Sequence, residues 1–280
     1  VEAEATLAIA DSVIALNEVR AGGEINGYPA KARGDVQVAA GRLQCSDCLV
    51  EIGSNRLVLD GALSAADVTM ALRIDARRLE ELVAGASGSV TGRGSITGEF
   101  ADLSVALELE GRALHFGDDG LPHLDADATL TVRRDRDGLA GALRRATLTT
   151  VGDLRWTLQD AMRFSLRDST LSIDPHRWTG TTGDVWIEAL ALGPGDELIV
   201  VGRIAELPLS LAEGWLPPDL RLIGVAEADI DLRRSGGEWA GSAEWRQVDS
   251  TLRVIEAADR HTDVSVPAVS VTALLVDGGL

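Results

Sequence analysis

Apolar and polar side chains alternate along most of the chain, and the clearest alternation lies within the glycine-rich stretch 85–117. At positions 105–110, valine and leucine at the odd positions alternate with alanine and glutamate at the even ones. A β-strand has a side-chain period of two, so this run predicts a strand with one apolar face and one polar face. Glycines divide the stretch into short strands joined by turns.

The same design recurs along the chain and gives at least sixteen candidate strands. Two short segments depart from it. Residues 76–85 carry leucines at helical spacing and are followed by a glycine stop at Gly85, and residues 207–218 contain a second leucine-bearing stretch. Both are predicted as short helices. The pattern therefore predicts an all-β fold with one or two short helices.

The succession of elements repeats within the chain. An Arg-Ile pair, a short leucine-bearing helix and glycine-rich strands occur within 66–130 and again within 196–254. Repetition of one supersecondary unit is typical of extended, quasi-one-dimensional architectures. We therefore expect residues 1–280 to be one continuous β-rich segment of a longer protein, with any anchor or targeting signal outside it.

Composition excludes several functions. The chain has 44 acidic and 26 basic residues and a net charge of -18, so it lacks the basic footprint that nucleic-acid binding needs. The same charge opposes adsorption to an anionic membrane surface. No apolar run approaches the ~18 residues of a membrane-spanning helix, and the best short run, 198–201, has the length of a strand.

The two cysteines, Cys45 and Cys48, leave two alternatives open. A zinc site would need two further ligands, and the four histidines are scattered singly. In a straight strand their Cα atoms would be ~10 Å apart, too far for a disulfide. A tight turn at 46–47 would bring them close enough. They are therefore either a structural disulfide across a turn or two free buried thiols.

The sequence contains no recognisable catalytic chemistry. No motif of a serine hydrolase, a nucleotide-binding loop or a zinc peptidase occurs together with the secondary-structure elements that must flank it. Asp174-Pro175-His176 has no identifiable nucleophile to accompany it. We therefore expect no enzymatic activity, no cofactor and no metal.

Three passages, 53–117, 152–178 and 202–232, together resemble the periplasmic β-rich region of the TamB family, within the wider AsmA-like group of inter-membrane lipid-transfer proteins. The first has an Asn-Arg-Leu strand, a short leucine helix and a glycine-rich strand, but its turn at 98–102 lacks the proline usual in the family. The second has tryptophan-bearing strands, with His176 or Arg177 where the family often has cysteine. The order in which the three passages occur is a more specific sign of the family than any single passage.

The resemblance implies a fold and a role. The fold is a long β-sheet curled lengthwise into a groove, the β-taco, and the role is to pass phospholipid between the inner and outer membranes of a Gram-negative bacterium. The family is also linked to the outer-membrane barrel protein TamA and to outer-membrane protein assembly. The resemblance therefore implies a periplasmic protein, held at the inner membrane by a segment outside this sequence.

The alternation itself agrees with such a groove. Acyl chains need a continuous apolar strip shielded from water, and each buried methylene contributes about 0.8 kcal/mol. The headgroup can remain in solvent, so no polar pocket is required. The predicted lining consists of aliphatic residues at alternating positions: Val36, Val38, Leu57, Leu59, Val105, Leu107, Leu109, Ile187, Ile199, Val201, Ile230 and Leu232.

The sequence also allows two other interpretations. The aliphatic residues could instead form the ordinary core of a closed sandwich or a structural β-solenoid, although the strand spacing is less regular than solenoid rungs require. The chain could also be a scaffold that presents unpaired sheet edges to outer-membrane protein strands.

Overall fold

The computed structural model describes residues 2–10, 13–39, 41–64, 66–117, 123–135, 138–150, 154–211, 216–257 and 260–275. The all-β prediction is confirmed, because these residues form twenty strands of one antiparallel sheet. The strands are β1 (Glu2–Ala10), β2 (Val13–Ile25), β3 (Tyr28–Ala39), β4 (Arg42–Ile52), β5 (Asn55–Ser64), β6 (Val68–Ala76), β7 (Ala86–Glu99), β8 (Asp102–Phe116), β9 (Leu124–Asp135), β10 (Gly138–Thr150), β11 (Arg155–Leu158), β12 (Met162–Arg167), β13 (Thr170–Ile173), β14 (His176–Gly180), β15 (Asp184–Leu192), β16 (Leu198–Pro208), β17 (Leu220–Ser235), β18 (Glu238–Ala257), β19 (Arg260–Val266) and β20 (Val269–Leu275).

The predicted helices are much shorter than the sequence pattern suggested. The segment 76–85 forms a single 3-10 turn at Leu79–Glu81, and a second such turn lies at Pro194–Asp196. In the segment 207–218, the described residues have 3-10 conformation only at 209–211, and 212–215 lie outside the described residues. One or two turns of helix are too short to be stable by themselves, so tertiary contacts decide the conformation of these connections.

The chain divides into two compact units, which we describe separately. Unit 1 contains β1 to β9 and most of β10, and unit 2 contains the end of β10 and β11 to β20. In unit 1, each strand from β1 to β8 pairs antiparallel with the next strand along the chain. Unit 1 is therefore a meander of hairpins.

Unit 2 begins with short strands and continues as long hairpins. β11 and β13 pair with β14 and β15 respectively, and β15 to β18 pair in sequence. β19 and β20 both pair with the far side of β18, with Val266 opposite Ser250 and Val269 opposite Gln247. Pro267 lies between them, where the missing N–H prevents a continuous ladder.

Bulges bend the sheet of unit 1 along one line. The pairing register shifts between 16 and 19 in β2, between 33 and 35 in β3, and between 45 and 48 in β4. In β5 the line continues at Gly61, whose φ is 144°. A Cβ at Gly61 would stand 2.7 Å from the Cα of Met70. Bulges increase local twist and bend strands, so this part of the sheet is curved rather than flat.

Candidate functional site

Residues that pair directly across neighbouring strands project from the same face of a sheet. In unit 1, Leu57 of β5 pairs with Val50 on one side and Ile74 on the other. This row continues across the sheet from β4 to β9 as Val50, Leu57, Ile74, Gly92, Leu109 and Ala128. One line of apolar positions therefore crosses six strands.

Three further rows lie parallel to the first and on the same face. They read Cys48, Leu59, Leu72, Gly94, Leu107 and Leu130; then Val36, Cys45, Gly61, Met70, Ile96, Val105 and Val132; and then Val38, Leu43, Leu63, Val68, Gly98 and Leu103. Every member of the four rows is aliphatic, methionine, cysteine or glycine. We call these four rows the unit 1 apolar face.

The structure brings all seven predicted lining residues of unit 1 onto this face. They are Val36, Val38, Leu57, Leu59, Val105, Leu107 and Leu109. All seven are half-buried, and none is fully buried. A second sheet packed against the face would bury such side chains almost completely, as in a sandwich. On the same face, Cys45, Val68 and Leu72 are buried, with 7%, 3% and 7% of their surface exposed. The face is therefore partly buried, and contact of its residues with lipid stays a prediction.

The opposite face of unit 1 is polar and carries cross-strand ion pairs. Arg93 Nε lies 2.6 Å from Glu108 Oε2, between β7 and β8. Arg56 Nε lies 2.9 Å from Glu51 Oε1, between β5 and β4. These pairs occupy the positions that alternate with the apolar rows. The two faces of the same strands therefore differ sharply in polarity.

Charged pairs on the polar faces lower the pKa of two aspartates. In unit 1, Arg133 Nε donates a hydrogen bond to Asp102 Oδ1 over 2.7 Å, which lowers the pKa of the Asp102 carboxyl. In unit 2, Arg177 Nη2 donates to Asp184 Oδ2 over 2.7 Å and lowers the pKa of Asp184 in the same way. Hydrogen bonds to the charged form of a carboxyl favour that form.

A disulfide joins Cys45 and Cys48 on the unit 1 apolar face, with Cα atoms 5.9 Å apart. A straight strand would place residues i and i+3 on opposite faces. The register shift between them places one extra residue on β4 relative to β5, and Asp47 takes a left-handed φ of 49°. The sequence suggested a tight turn for this pairing. The structure instead uses a bulge inside a continuous strand.

One end of the unit 1 apolar face is closed by the 3-10 turn at Leu79–Glu81. Asn55 continues the face beyond Leu57, and its Nδ2 donates to the carbonyl of Arg78 over 3.0 Å. Asn55 Oδ1 accepts from the backbone N–H of Arg78 at 3.0 Å. The carboxylate of Glu81 accepts from the backbone N–H of Ser54 at 2.6 Å. These contacts hold the turn over the ends of β5 and β6.

Sequence reasoning did not identify this polar cluster as a structural feature. Asn55 and Glu81 are each only 4% exposed. Gly53 has φ 58°, and a Cβ there would collide with the Glu81 carboxylate. The sequence Gly53-Ser54-Asn55 could have indicated the cluster, but the same residue types are equally typical of an ordinary turn.

Unit 2 has an apolar face of the same construction. Its three inner rows are Leu158, Trp178, Val185, Ile204, Ala228, Trp245 and Val271; His176, Ile187, Gly202, Ile230, Ala243 and Ala273; and Phe164, Ile173, Leu190, Val200, Leu232, Gly241 and Leu275. We call these rows the unit 2 apolar face. Unlike the face of unit 1, it includes aromatic side chains.

The structure corrects two of the five lining predictions for unit 2. Ile187, Ile230 and Leu232 lie on the unit 2 apolar face. Ile199 and Val201 do not, because they lie on the opposite face.

The register shows the reason. Ile199 pairs with Arg233 and Val201 pairs with Asp231 on the polar side. The run 198–201 is apolar throughout, so alternation could not decide which residues face inward. The inward residue is Val200.

The described residues offer little for other chemistry. Among them, no cluster of three or more histidine, cysteine, aspartate or glutamate side chains has the arrangement of a metal site. None of the helical segments that the structure describes is long and apolar enough to cross a membrane. The prominent feature is therefore the contrast between the two faces of the sheet.

The fold and its faces define an all-β protein whose sheet carries a broad, partly buried aliphatic face. Residues 7–139 match the family model described as TamB, N-terminal domain. The chain is therefore TamB-like over this region, which is slightly less than half of its length. The match includes all seven predicted lining residues of unit 1, whereas the passages 152–178 and 202–232 lie outside it. Comparison with curated proteins and with solved structures gave no match.

Proposed function

We propose that this protein conducts phospholipids between the inner and outer membranes of a Gram-negative bacterium, with the acyl chains lying along the apolar faces. The observation that carries the proposal is the unit 1 apolar face. It crosses the strands from β4 to β8 in four unbroken rows, and its seven predicted lining residues are half-buried rather than buried.

A half-buried aliphatic face of this size is suited to an apolar occupant. An acyl chain fits, because it requires only a continuous apolar strip, and each methylene that leaves water contributes about 0.8 kcal/mol. Aliphatic side chains without converging polar groups would hold a chain loosely and at many positions. Such a surface suits passage of a ligand better than its capture at one place.

The polar face and the headgroup have separate roles in this proposal. Ion pairs such as Arg93–Glu108 keep one side of the sheet hydrated. The headgroup stays at the solvent margin, so neither a cofactor nor a catalytic group is needed.

The match of residues 7–139 to the TamB family model supports the setting of the proposal. It favours a periplasmic location, an inner-membrane anchor in a segment outside these residues, and a partnership with the barrel protein TamA in outer-membrane protein assembly.

The test compares two adjacent residues on opposite faces. A photo-crosslinking amino acid is placed at Leu107 or at Glu108 in cells with labelled phospholipid. Leu107 pairs with Gly94 and Leu130 on the apolar face, whereas Glu108 pairs with Arg93 on the polar face. We expect labelling at Leu107 and none at Glu108. Equal labelling, or none at either position, would contradict a lipid-filled groove and favour a packed structural β-stalk.

A further inference from the structure

The β8–β9 hairpin brings together two histidines that are separated in the sequence. The two strands pair antiparallel as far as Leu114 with Leu124. His115 and His123 are each one residue further towards the turn, so they face each other across the hairpin. Their ring centroids are 5.0 Å apart, and the ring planes are tilted by 40°. Pairing of the strands therefore places two imidazoles side by side, which the sequence alone does not show.

This histidine pair lies on the polar face of unit 1. Leu124 and Ala126 continue the apolar positions of β9, so the alternate residue His123 projects from the opposite face. His123 is exposed and His115 is half-buried. The pair is therefore open to solvent and separate from the unit 1 apolar face, and a ligand bound here would not compete with one on that face.

His115 has a ring nitrogen that is not used in the fold. Its Nδ1 is buried, and none of the residues that the structure describes forms a hydrogen bond with it. A buried polar atom without a partner is unfavourable. Because a neutral imidazole has one bare nitrogen, it can act as a metal ligand through that nitrogen. The orphaned nitrogen of His115 is thus explained if a further group binds between the two rings.

His123 is oriented by the bulge in β8. Its Nδ1 lies 3.4 Å from the carbonyl oxygen of Ala113. The N–H of Ala113 donates a hydrogen bond to Asp125 Oδ1 over 2.8 Å, and Ala113 takes a left-handed φ of 49°. Histidines that bind metals commonly direct their second ring nitrogen at a carbonyl or a carboxylate, which leaves the first for the metal. The contact with Ala113 therefore leaves Nε2 of His123 available.

The spacing of the two rings matches a shared metal ion. With metal–nitrogen distances of about 2.0–2.1 Å, two imidazoles on one tetrahedral ion place their ring centroids about 5 Å apart. The observed separation is 5.0 Å. Only small rotations of the two side chains are therefore needed for both rings to reach one ion.

The charges beside the pair favour a cation. Asp125 lies two residues from His123, and its Oδ2 is 3.7 Å from Arg112 Nη1. The same guanidinium also pairs with Glu110 and lies 3.9 Å from Asp127. Three carboxylates thus surround one arginine, so the local charge is negative and attracts a positive ion.

We propose that His115 and His123 form a binding site for one divalent transition-metal ion, of the class that includes Cu²⁺, Ni²⁺ and Zn²⁺. Imidazole nitrogen suits these ions, whereas Mg²⁺ and Ca²⁺ prefer oxygen ligands. Among the described residues, no third histidine, cysteine or carboxylate completes a metal cluster. Water therefore fills the remaining coordination positions, and the ion fastens β8 to β9 where the two strands end.

The experiment titrates the full chain, stripped of metal by a chelator, with Cu²⁺, Ni²⁺, Zn²⁺ or Ca²⁺ in isothermal titration calorimetry. We expect Cu²⁺ to bind more tightly than Ni²⁺ and Zn²⁺. Ca²⁺ should neither bind at this site nor displace Cu²⁺. Electron paramagnetic resonance of the Cu²⁺ complex should show hyperfine coupling to two imidazole nitrogens, and to one at most in a variant that lacks either histidine.

The decisive variant is His123→Gln, because His123 is exposed and its replacement leaves the fold intact. His115→Gln removes the other ligand. The matched control is His261→Gln in β19, since His261 is 50% exposed and lies 4.0 Å from Asp263 but has no second histidine beside it. Even a group that only orients a ligand contributes about 10–100-fold to metal affinity. We therefore expect each variant of the pair to bind Cu²⁺ at least tenfold more weakly, and the control to bind it unchanged.

Three results would overturn the inference. Unchanged Cu²⁺ affinity in His123→Gln would show that the pair does not hold the ion. An equal loss in His261→Gln would show that the ion binds histidines without regard to their pairing. Displacement of Cu²⁺ by an equal concentration of Ca²⁺ would show that the ion is held by surface carboxylates. The site stands if only the two variants of the pair lose affinity and the two-nitrogen signal.

Discussion

Asn55 Nδ2 donates a hydrogen bond to Glu81 Oε2 over 3.0 Å, and both residues are only 4% exposed. The same carboxylate oxygen accepts from Ser54 Oγ at 3.0 Å, and Arg78 Nη1 lies 3.5 Å from the other oxygen. A buried carboxylate is stable only when donors surround it. This cluster therefore fixes the turn that closes one end of the unit 1 apolar face.

The first prediction concerns the stability of that turn. Asn55→Ala removes the donor to Glu81 and the hydrogen bonds with Arg78, and it leaves a buried carboxylate with fewer partners. We expect the free energy of unfolding to fall by about 2–4 kcal/mol, measured by urea denaturation. The control is Glu80→Gln, because the side chain of Glu80 is 39% exposed. An equal loss in both variants would contradict a special role for Asn55.

The second prediction tests the polarity of the two faces of β5. Leu57→Asp places a carboxylate between Val50 and Ile74 on the apolar face, whereas Val58→Asp places one opposite Arg73 on the polar face. We expect Leu57→Asp to reduce the phospholipid that co-purifies with the protein, and Val58→Asp to leave it unchanged. Lipid content per chain is measured by mass spectrometry, with circular dichroism to confirm folding. Equal lipid content in the two variants would count against the groove.

The third prediction tests the corrected orientation of β16. Val200 pairs with Leu190 and Leu232 on the apolar face, whereas its neighbour Ile199 is 39% exposed and pairs with Arg233. We expect Val200→Glu to lower the free energy of unfolding by about 1–3 kcal/mol. Ile199→Glu should change it by less than about 0.5 kcal/mol, because the new carboxylate faces an arginine. The reverse order of the two losses would show that the register of β16 is wrong.

The fourth prediction concerns acid stability in unit 2. Arg177 lowers the pKa of Asp184, so the ionised carboxylate is stabilised in the folded state. A depressed folded-state pKa contributes stability that is present above the unfolded-state pKa of about 3.9 and is lost as the pH falls through the lower folded-state value. The difference in unfolding midpoint between the wild type and Asp184→Asn should therefore be largest near neutral pH.

That difference should shrink as the pH falls below about 4. The measurement is a series of urea midpoints from neutral to acidic pH. The control is Asp174→Asn, because Asp174 is exposed and forms no ion pair that the structure describes. A difference for Asp184→Asn that does not change with pH would contradict the pairing with Arg177.

The sequence predicted the faces of strands wherever polar residues alternated with apolar ones. Leu57 and Leu59 in β5, and Leu107 in β8, lie on one face, as their charged neighbours Arg56, Asp60 and Glu108 indicate. That this face lines a groove stays a prediction. In β16 the apolar run 198–201 left the phase undetermined. There, pairing with the charged residues of β17 decides the orientation, and that contact is not local in sequence.

The remaining differences also come from non-local contacts. Leucines at helical spacing in 76–85 predicted a helix, but only one turn forms, and it is held by Asn55, some twenty residues earlier. The bulge at Cys45 and Cys48 has no distinctive local pattern, since its register is set by β3 and β5. Alternation predicts strands and their faces but not a family, and the family is indicated by the match of residues 7–139 to the TamB model.

The partial burial of the unit 1 apolar face has an evolutionary consequence. A tightly packed core constrains the shape of every side chain, because each fills a space left by its neighbours. In the proposed function the face contacts fluid hydrocarbon, which would constrain only polarity, so leucine, valine, isoleucine and methionine would be interchangeable there. Mutational drift among these residues should be nearly free, whereas Gly61 and Asn55, which fix the bend and the closed end, should resist replacement.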